Sequence, residues 1–235
     1  MTTSLHQQLC ANAWYATLPE DFQQFILNMH KTVQLEKGQV LFFRGDVDDG
    51  MYAILNGAIQ LGFSDAEGRE SLMLIAEANL WFGEISLIDG KPRTHDAIAL
   101  QSTTLMHLPK AILLDFLHLH PDYWRHIALL LSQKIRPLLL EIEVLQHGSL
   151  TQRLARRLLM ILHSYDDRNA IQNRQIELSQ ERLALMLSLS RQRINGLLHE
   201  LEDAQIIKRE FKSIHILDIE RLKQLAEAST ETNDE

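Results

Sequence analysis

Residues 38–90 read GQVLFFRGDVDDGMYAILNGAIQLGFSDAEGRESLMLIAEANLWFGEISLIDG. Eight of the ten glycines of the chain fall in this span, at positions 38, 45, 50, 57, 62, 68, 83 and 90. Between them lie the short apolar runs Val40–Phe43, Met51–Leu55, Ala58–Phe63 and Ser71–Ile75, followed further on by Ala97–Ala99 and Leu105–Leu108. Short strands punctuated by turn residues at regular spacing are the pattern of an antiparallel sandwich or barrel. Ser64-Asp65-Ala66-Glu67-Gly68 separates two such runs and reads as a hairpin loop. The spacing therefore predicts a small β-roll over residues 30–108, with a helix before it at about Pro19–His30.

Downstream of Pro109 the glycines give way to helical periodicity. A short helix is expected over Pro109–His118, and a long one starts near Pro121-Asp122, where proline suits a first turn and a carboxylate suits the N-terminal dipole. Within it Trp124, Ala128, Leu131, Ile135, Leu138, Ile142 and Leu145 recur at alternating spacings of four and three, the pattern of a coiled-coil seam between two helices. A helix lying on the core of its own domain is the alternative. Pro137 sits inside this helix, and Gln146-His147-Gly148-Ser149 forms the hinge that ends it.

Residues 150–217 make a second, mostly helical unit: a helix over Leu150–Tyr165, a polar loop over Asp166–Gln175, and two short helices capped by Ser179 and Ser190 around the turn Leu187-Ser188-Leu189. Two short β-like pieces, Ile206–Lys208 and Ser213–Leu217, follow, and the end Ser229–Glu235 is polar and frayed. Short helix, tight turn and capped helix are the dimensions of a helix-turn-helix, and the β pieces suit a wing. In the second helix Ile194, Leu197, Leu198 and Leu201 form a buried face, and Arg191, Gln192, Asn195 and His199 lie on another. Arginine can bond guanine bidentately and glutamine can do the same to adenine. Arg182, Arg193, Lys208 and Lys212 suit phosphates.

Charge supports that division. The chain of 235 residues carries a net charge of −8, which taken whole argues against nucleic acid. Residues 151–216, however, hold 11 Lys/Arg against 8 Asp/Glu, whereas residues 1–150 hold 10 against 17. A basic segment between acidic ones is the footprint of phosphate binding. Hydrophobic residues make up 46% of the chain, an ordinary globular share. No apolar run approaches the ~18 residues of a membrane helix, and the start MTTSLHQQLC lacks the layout of a secretory signal, so a cytoplasmic protein with no membrane partner is expected. The single cysteine, Cys10, is read as a residue of an N-terminal helix; it cannot form an internal disulfide or a multi-thiolate metal site. No nucleophile–base pair, metal-spaced cluster or phosphate-binding loop follows the long helix, and an enzyme is not expected.

Two motifs carry a resemblance. The roll contains Gly45-Asp46-x-x-Asp49-Gly50-Met51-Tyr52-x-Ile54-x-x-Gly57 and then Phe82-Gly83-Glu84-Ile85-Ser86-Leu87-Ile88-Asp89-Gly90-Lys91-Pro92-Arg93-Thr94; the second unit contains Ser190-Arg191-Gln192-x-Ile194-Asn195. Over residues 18–217 the chain resembles the cyclic-AMP receptor protein/FNR family of bacterial transcription regulators. The second roll motif is similar to the phosphate-binding cassette of cyclic nucleotide-binding domains. That resemblance implies that Arg93 and Thr94 contact a cyclic phosphate, that Glu84 accepts from the ribose 2′-hydroxyl, and that Gly83 permits close backbone approach. An ion pair between Arg93 and Glu84 in an empty roll is the alternative reading. The resemblance also implies a departure: the cyclic-AMP receptor protein has an adjacent Thr-Ser pair on the long helix that contacts adenine, where this chain has Leu138-Leu139, neither able to hydrogen-bond a base. The iron–sulfur branch of the family needs several N-terminal cysteines, and His95 reads as a solvated or satisfied histidine rather than a haem ligand.

The expected architecture is α+β: a cyclic nucleotide-binding β-roll of jelly-roll type over residues 1–120, a dimerisation helix and hinge over 121–148, and a winged helix-turn-helix over 149–235. The expected function is a dimeric, sequence-specific transcription regulator of double-stranded DNA with an effector-sensing roll. A sensor that ignores cyclic AMP is the alternative. Candidate ligand residues are Gly83, Glu84, Arg93, Thr94, Leu138 and Leu139; candidate DNA residues are Ser190, Arg191, Gln192, Arg193, Asn195, His199 and Lys212. A cyclic nucleotide is the one cofactor the residues suggest, and RNA polymerase is a candidate partner through the Asp166–Gln175 loop.

Overall fold

The computed structural model describes residues 4–64, 70–163, 174–176, 178–210 and 213–227. It divides into two compact units, Met1–Gln133 and Lys134–Glu235. The first begins with three helices, α1 (Leu5–Leu9), α2 (Ala13–Ala16) and α3 (Glu20–Met29). Ser4 and Gln7 form a reciprocal capping box on α1, and Asn12 caps α2 by accepting from Tyr15 N–H. Pro19 stands just before α3 where the expected helix was to begin.

Eight strands follow: β1 (Lys31–Leu35), β2 (Val40–Phe42), β3 (Gly50–Asn56), β4 (Ala58–Ser64), β5 (Glu70–Glu77), β6 (Trp81–Phe82), β7 (Asp96–Ala99) and β8 (Thr103–Pro109). They build two four-stranded antiparallel sheets in the orders β1-β8-β3-β6 and β2-β7-β4-β5. The glycine-punctuated roll is therefore present, and β4 and β5 pair as a hairpin, though residues 65–69 of its loop lie outside the described residues. Strands β1 and β6 have no counterpart among the expected runs. Lys31–Leu35 is mostly polar and exposed, and Trp81-Phe82 is too short to show a period.

Strand β3 explains how the roll carries helices. Met51 and Ala53 face Leu108 and Met106 across the ladder and join the cluster built by Trp14, Tyr15, Phe22, Ile26 and Trp81. Tyr52 and Ile54 alternate to the other face, where Tyr52 stacks on Phe82 and meets Phe42 of the second sheet. Both faces are covered, so the strand reads as a continuous apolar run. The cluster also takes in Leu87 of α4 (Glu84–Asp89), Leu113 and Leu117 of α5 (Lys110–Leu119), and Ile127 and Leu130 of α6 (Trp124–His147). Trp14 Nε1 donates to the His126 carbonyl at 2.7 Å, joining α2 to α6.

A 3₁₀ turn at Pro121–Tyr123 leads into α6, which runs without interruption through Pro137. The seam positions divide. Trp124 and Leu131 are half-buried in their own subunit, while Ile135, Leu138, Ile142 and Leu145 are exposed, together with Leu139 and Leu140. The second unit contains the rest of α6, α7 (Leu150–His163), β9 (Gln175–Ile176), α8 (Gln180–Leu187), α9 (Arg191–Asp203), β10 (Ile207–Glu210), β11 (Ser213–Ile216) and α10 (Ile219–Glu227). Ser149 and Gln152 close a reciprocal pair of hydrogen bonds at the start of α7, so the hinge serine acts as a helix cap. The strands form a sheet in the order β10-β11-β9, and α10 packs against α7 through Leu222 and Ala226. None of the described helices is long and apolar enough to cross a membrane.

Gly50 opens β3 at φ +136°, and a Cβ there would lie 2.0 Å from the Leu108 carbonyl oxygen. Gly50→Ala combines backbone strain with a backbone clash and should lower the unfolding free energy by about 2–4 kcal/mol in a denaturant titration.

Candidate functional sites: a recognition helix and a sensor cassette

In the second unit α8 and α9 meet at Ser188, whose φ of +53° makes the tight turn. Arg153 of α7 donates to the Leu187 carbonyl at 3.1 Å, satisfying an end group of α8 that would otherwise be unpaired. Ser179 caps α8 by accepting from Arg182 N–H, and Ser190 caps α9 by accepting from Arg193 N–H at 3.2 Å. Ile194, Leu197, Leu198 and Leu201 are buried, as their spacing requires. This leaves Arg191, Gln192 and Arg193 exposed on the first turn of a fixed helix. The same turn borders a cavity of about 320 Å³ between α8, α9 and the strand hairpin, lined by Ser179, Gln180, Arg191, Arg209 and Ser213.

Asn195 and His199 are also exposed but are tied to the hairpin. Arg209 of β10 donates to Asn195 Oδ1 at 2.9 Å, reaches His199 Nδ1 at 3.4 Å, and holds Glu202 through both its backbone N–H (2.8 Å) and its Nε (2.6 Å). Arg209 thus links the wing to α9 at three side chains, a role that its sequence context beside Lys208 does not reveal. Lys208 itself pairs with Glu210 at 3.0 Å. Lys212 and residues 166–173 of the candidate polymerase loop lie outside the described residues.

In the first unit Gly83 and Glu84 open α4 and Arg93 returns to the Gly83 backbone with Thr94 next to it in the chain, whereas Leu138 and Leu139 belong to the second unit and are exposed on α6. Glu84 is buried at the start of α4, and Thr94 is exposed with its hydroxyl 2.8 Å from His95 Nδ1. The Arg93 guanidinium points inward. Its Nη2 donates to Asp49 Oδ1 at 2.5 Å and to the Gly50 carbonyl at 2.7 Å; its Nη1 lies 3.1 Å from Asp48 Oδ1 and donates to the Gly83 carbonyl at 3.4 Å. The Phe42 ring covers it with its centroid 4.5 Å away. Asp48 and Asp49 are therefore carboxylate partners of Arg93, two that the sequence reading did not name. Gly83 has φ +101°, and a Cβ there would lie 2.9 Å from Arg93 Nη1 and 2.7 Å from the Gly50 carbonyl oxygen, so this glycine makes room for the arginine itself.

Asp48 is shared with Lys110, whose Nζ is 3.1 Å from its second oxygen. Burial pushes the Asp49 carboxyl up, but hydrogen bonds from Tyr52 and Arg93 and the Arg93 charge outweigh it and hold the group below the ordinary carboxylate range. Burial and the bond to Asp49 push the Tyr52 phenol well up, which keeps it neutral and donating. None of these carboxylate partners follows from the cassette alone. The signal was the acidic pair Asp48-Asp49 in the earlier motif, 44 residues from Arg93 along the chain.

Comparison with known proteins finds a domain model for each part of the chain. Residues 32–120 match the cyclic nucleotide-binding domain model and residues 152–225 the Crp-like helix-turn-helix domain model. The CRP-like cAMP-activated global transcriptional regulator of Mycobacterium tuberculosis is 26% identical over 83% of this chain and 87% of its own. A CRP/FNR-family transcriptional regulator from Thermus thermophilus, 25% identical, superposes with a TM-score of 0.65 over 85% of this chain and all of that one. The chain belongs to the cyclic-AMP receptor protein/FNR family of transcription regulators. FixK2 from Bradyrhizobium japonicum, 17% identical over 85% of this chain and 98% of its own, has the same fold with a TM-score of 0.73. As a member of that family the protein combines a cyclic nucleotide-binding-type sensor domain with a helix-turn-helix DNA-binding domain.

The Arg209 donors hold the Glu202 carboxyl below the ordinary carboxylate range, first through the backbone N–H and then through the guanidinium. A depressed carboxylate contributes stability above its unfolded pKa and loses it as pH falls through the folded value. Carboxyl-carbon NMR should show Glu202 titrating below the ordinary glutamate range, and Arg209→Gln, which keeps the backbone N–H bond, should bring it only part of the way back.

Proposed function

We propose that the protein is a homodimer that reads a palindromic operator by placing the first turn of α9 in the major groove of each half-site. The carrying observation is the arrangement of α9: Ser190 fixes its start, four apolar side chains bury one face, and Arg191, Gln192 and Arg193 are presented outward. In this reading Arg191 bonds a guanine edge, Gln192 an adenine edge, and Ser190 and Arg193 the phosphates, with Lys212 as a further phosphate contact. Asn195 keeps its amide N–H groups for the groove while its oxygen is held by Arg209, and His199 lies on the same side. The functional division is a sensor over residues 1–120, a dimerisation helix and hinge over 121–148, and a DNA-binding domain over 149–235. The protein acts on chromosomal DNA in the cytoplasm, with RNA polymerase as its downstream partner.

The exposed stripe Ile135, Leu138, Ile142 and Leu145 supports the dimer, because large apolar side chains at a/d spacing are covered when a second helix pairs with them. In the sensor, Gly83, Glu84, Arg93 and Thr94 are the candidate effector residues. Leu138 and Leu139 would present an apolar wall to a base.

Half-sites should lie about one helical turn, roughly 34 Å, apart in binding-site selection. Gln192→Ala should cost about 1–3 kcal/mol at one A·T pair per half-site and leave other positions unchanged. Ile142 is 51% exposed in the single subunit, so Ile142→Glu should fold normally. Desolvating the new carboxylate at the seam costs several kcal/mol, and the variant should sediment as a monomer with operator affinity lost. A dimer in that experiment would place the interface elsewhere.

A further inference from the structure

An arginine that receives a phosphate offers it two N–H groups in a fork. Three Nη hydrogen bonds of Arg93 are already made, to Asp49 and the Gly50 carbonyl from Nη2 and to the Gly83 carbonyl from Nη1, and Nη1 also stands 3.1 Å from Asp48 Oδ1 as an ion pair. The remaining donor, Nε, is buried without a hydrogen-bond partner in the structure. The charge is balanced as well, since Asp48 and Asp49 stand against Arg93 and Lys110. The side chains of Arg93 and Asp48 are 2% and 1% exposed, whereas that of Asp49 is 54% exposed. An anion approaching from solvent therefore meets a carboxylate first. Handing Arg93 over to that anion would leave the buried Asp48 with Lys110 as its one remaining cation among the described residues, and a buried charge stripped of a partner weakens binding by roughly a hundredfold or more.

The backbone ties the same residues together. Gly45 N–H donates to the Arg93 carbonyl and Arg93 N–H to the Asp46 carbonyl, each at 2.9 Å, while Lys110 N–H donates to the Asp49 carbonyl at 2.8 Å. The segment 43–50, the cassette and the start of α5 thus meet at one cluster of paired charges.

We infer that Asp48 and Asp49 take the place of a cyclic phosphate, so that Arg93 is an internal strut and the roll excludes nucleoside cyclic phosphates. The inference rests on the assignment of the roll as the sensor of a DNA-binding regulator, and it makes operator binding independent of cyclic nucleotide.

The test uses the full-length protein. Calorimetry with cyclic AMP and cyclic GMP up to 1 mM should show no saturable heat, and 1 mM cyclic AMP should change operator affinity less than twofold. Arg93→Gln and Asp48→Asn should each lower the melting temperature by about 5 °C or more, and the double variant by less than the combined single losses. Asp49→Asn, at a half-exposed group, should give a smaller drop and serves if the buried variants do not fold. Saturable wild-type binding of cyclic AMP tighter than about 100 μM that Arg93→Gln abolishes would overturn the inference, as would single variants that melt at the wild-type temperature. Binding that survives Arg93→Gln would put the nucleotide at another site and leave the strut standing. Failure of the DNA-binding reading registers separately, as a wild-type protein that retains no specific duplex while the calorimetric and melting results stand.

Discussion

A guanidinium with almost no access to water persists inside a protein only if its charge and its donors are satisfied there. For Arg93 two carboxylates balance the charge and, with two backbone carbonyls, surround the Nη groups while Nε stays unpaired, and the sensor unit is arranged around the need to supply them. Gly50 and Gly83 are glycines because their backbones close on Leu108 and on Arg93 with no space for a Cβ. The segment 43–50 leaves β2 and returns as β3 with Asp48 and Asp49 aimed at the cluster, and Phe42 and Tyr52 wall it off from the interior of the roll. One buried cation thereby fixes the ends of several strands and the entry to α4.

A comparable node organises the second unit. Arg209 is more open to solvent than Arg93, so its bonds contribute less to stability and more to geometry. By holding Asn195, His199 and Glu202 it joins the hairpin to the middle of α9, while Ser190 fixes the start of that helix. The exposed first turn is held from both sides, which suits a surface whose side chains must meet base edges in register.

Helix α6 serves two environments along its length. Its first turns bury Ile127 and Leu130 in the core that Trp14, Phe22 and Leu117 build, and its later turns leave Ile135, Leu138, Ile142 and Leu145 in the open. Glu141 is paired with Arg157 of α7, so the second half of the helix is anchored in the second unit. A single heptad pattern therefore covers two functions, and Trp124 and Leu131, which the pattern assigns to the seam, are half taken up by their own subunit.

Glycine spacing, helical periodicity and serine caps are local properties, and they were enough to place the roll, α3, α5, α6, α8 and α9 within a few residues. The recognition helix was legible for the same reason, since its cap, buried face and exposed basic turn all lie within fourteen consecutive residues. Strands β1, β6 and β9 were not legible, because two are too short to show a period and the third has mostly polar, exposed side chains held in place by pairing with β8. The residues of the cassette could be named from the sequence, but the partners of Arg93 could not. Asp48, Asp49 and Gly50 reach it from a loop and a strand distant along the chain, Lys110 joins through Asp48, and Arg209 reaches Asn195 and Glu202 across a turn. Which carboxylate meets which cation depends on the approach of segments distant along the chain, and the tertiary structure alone decided it.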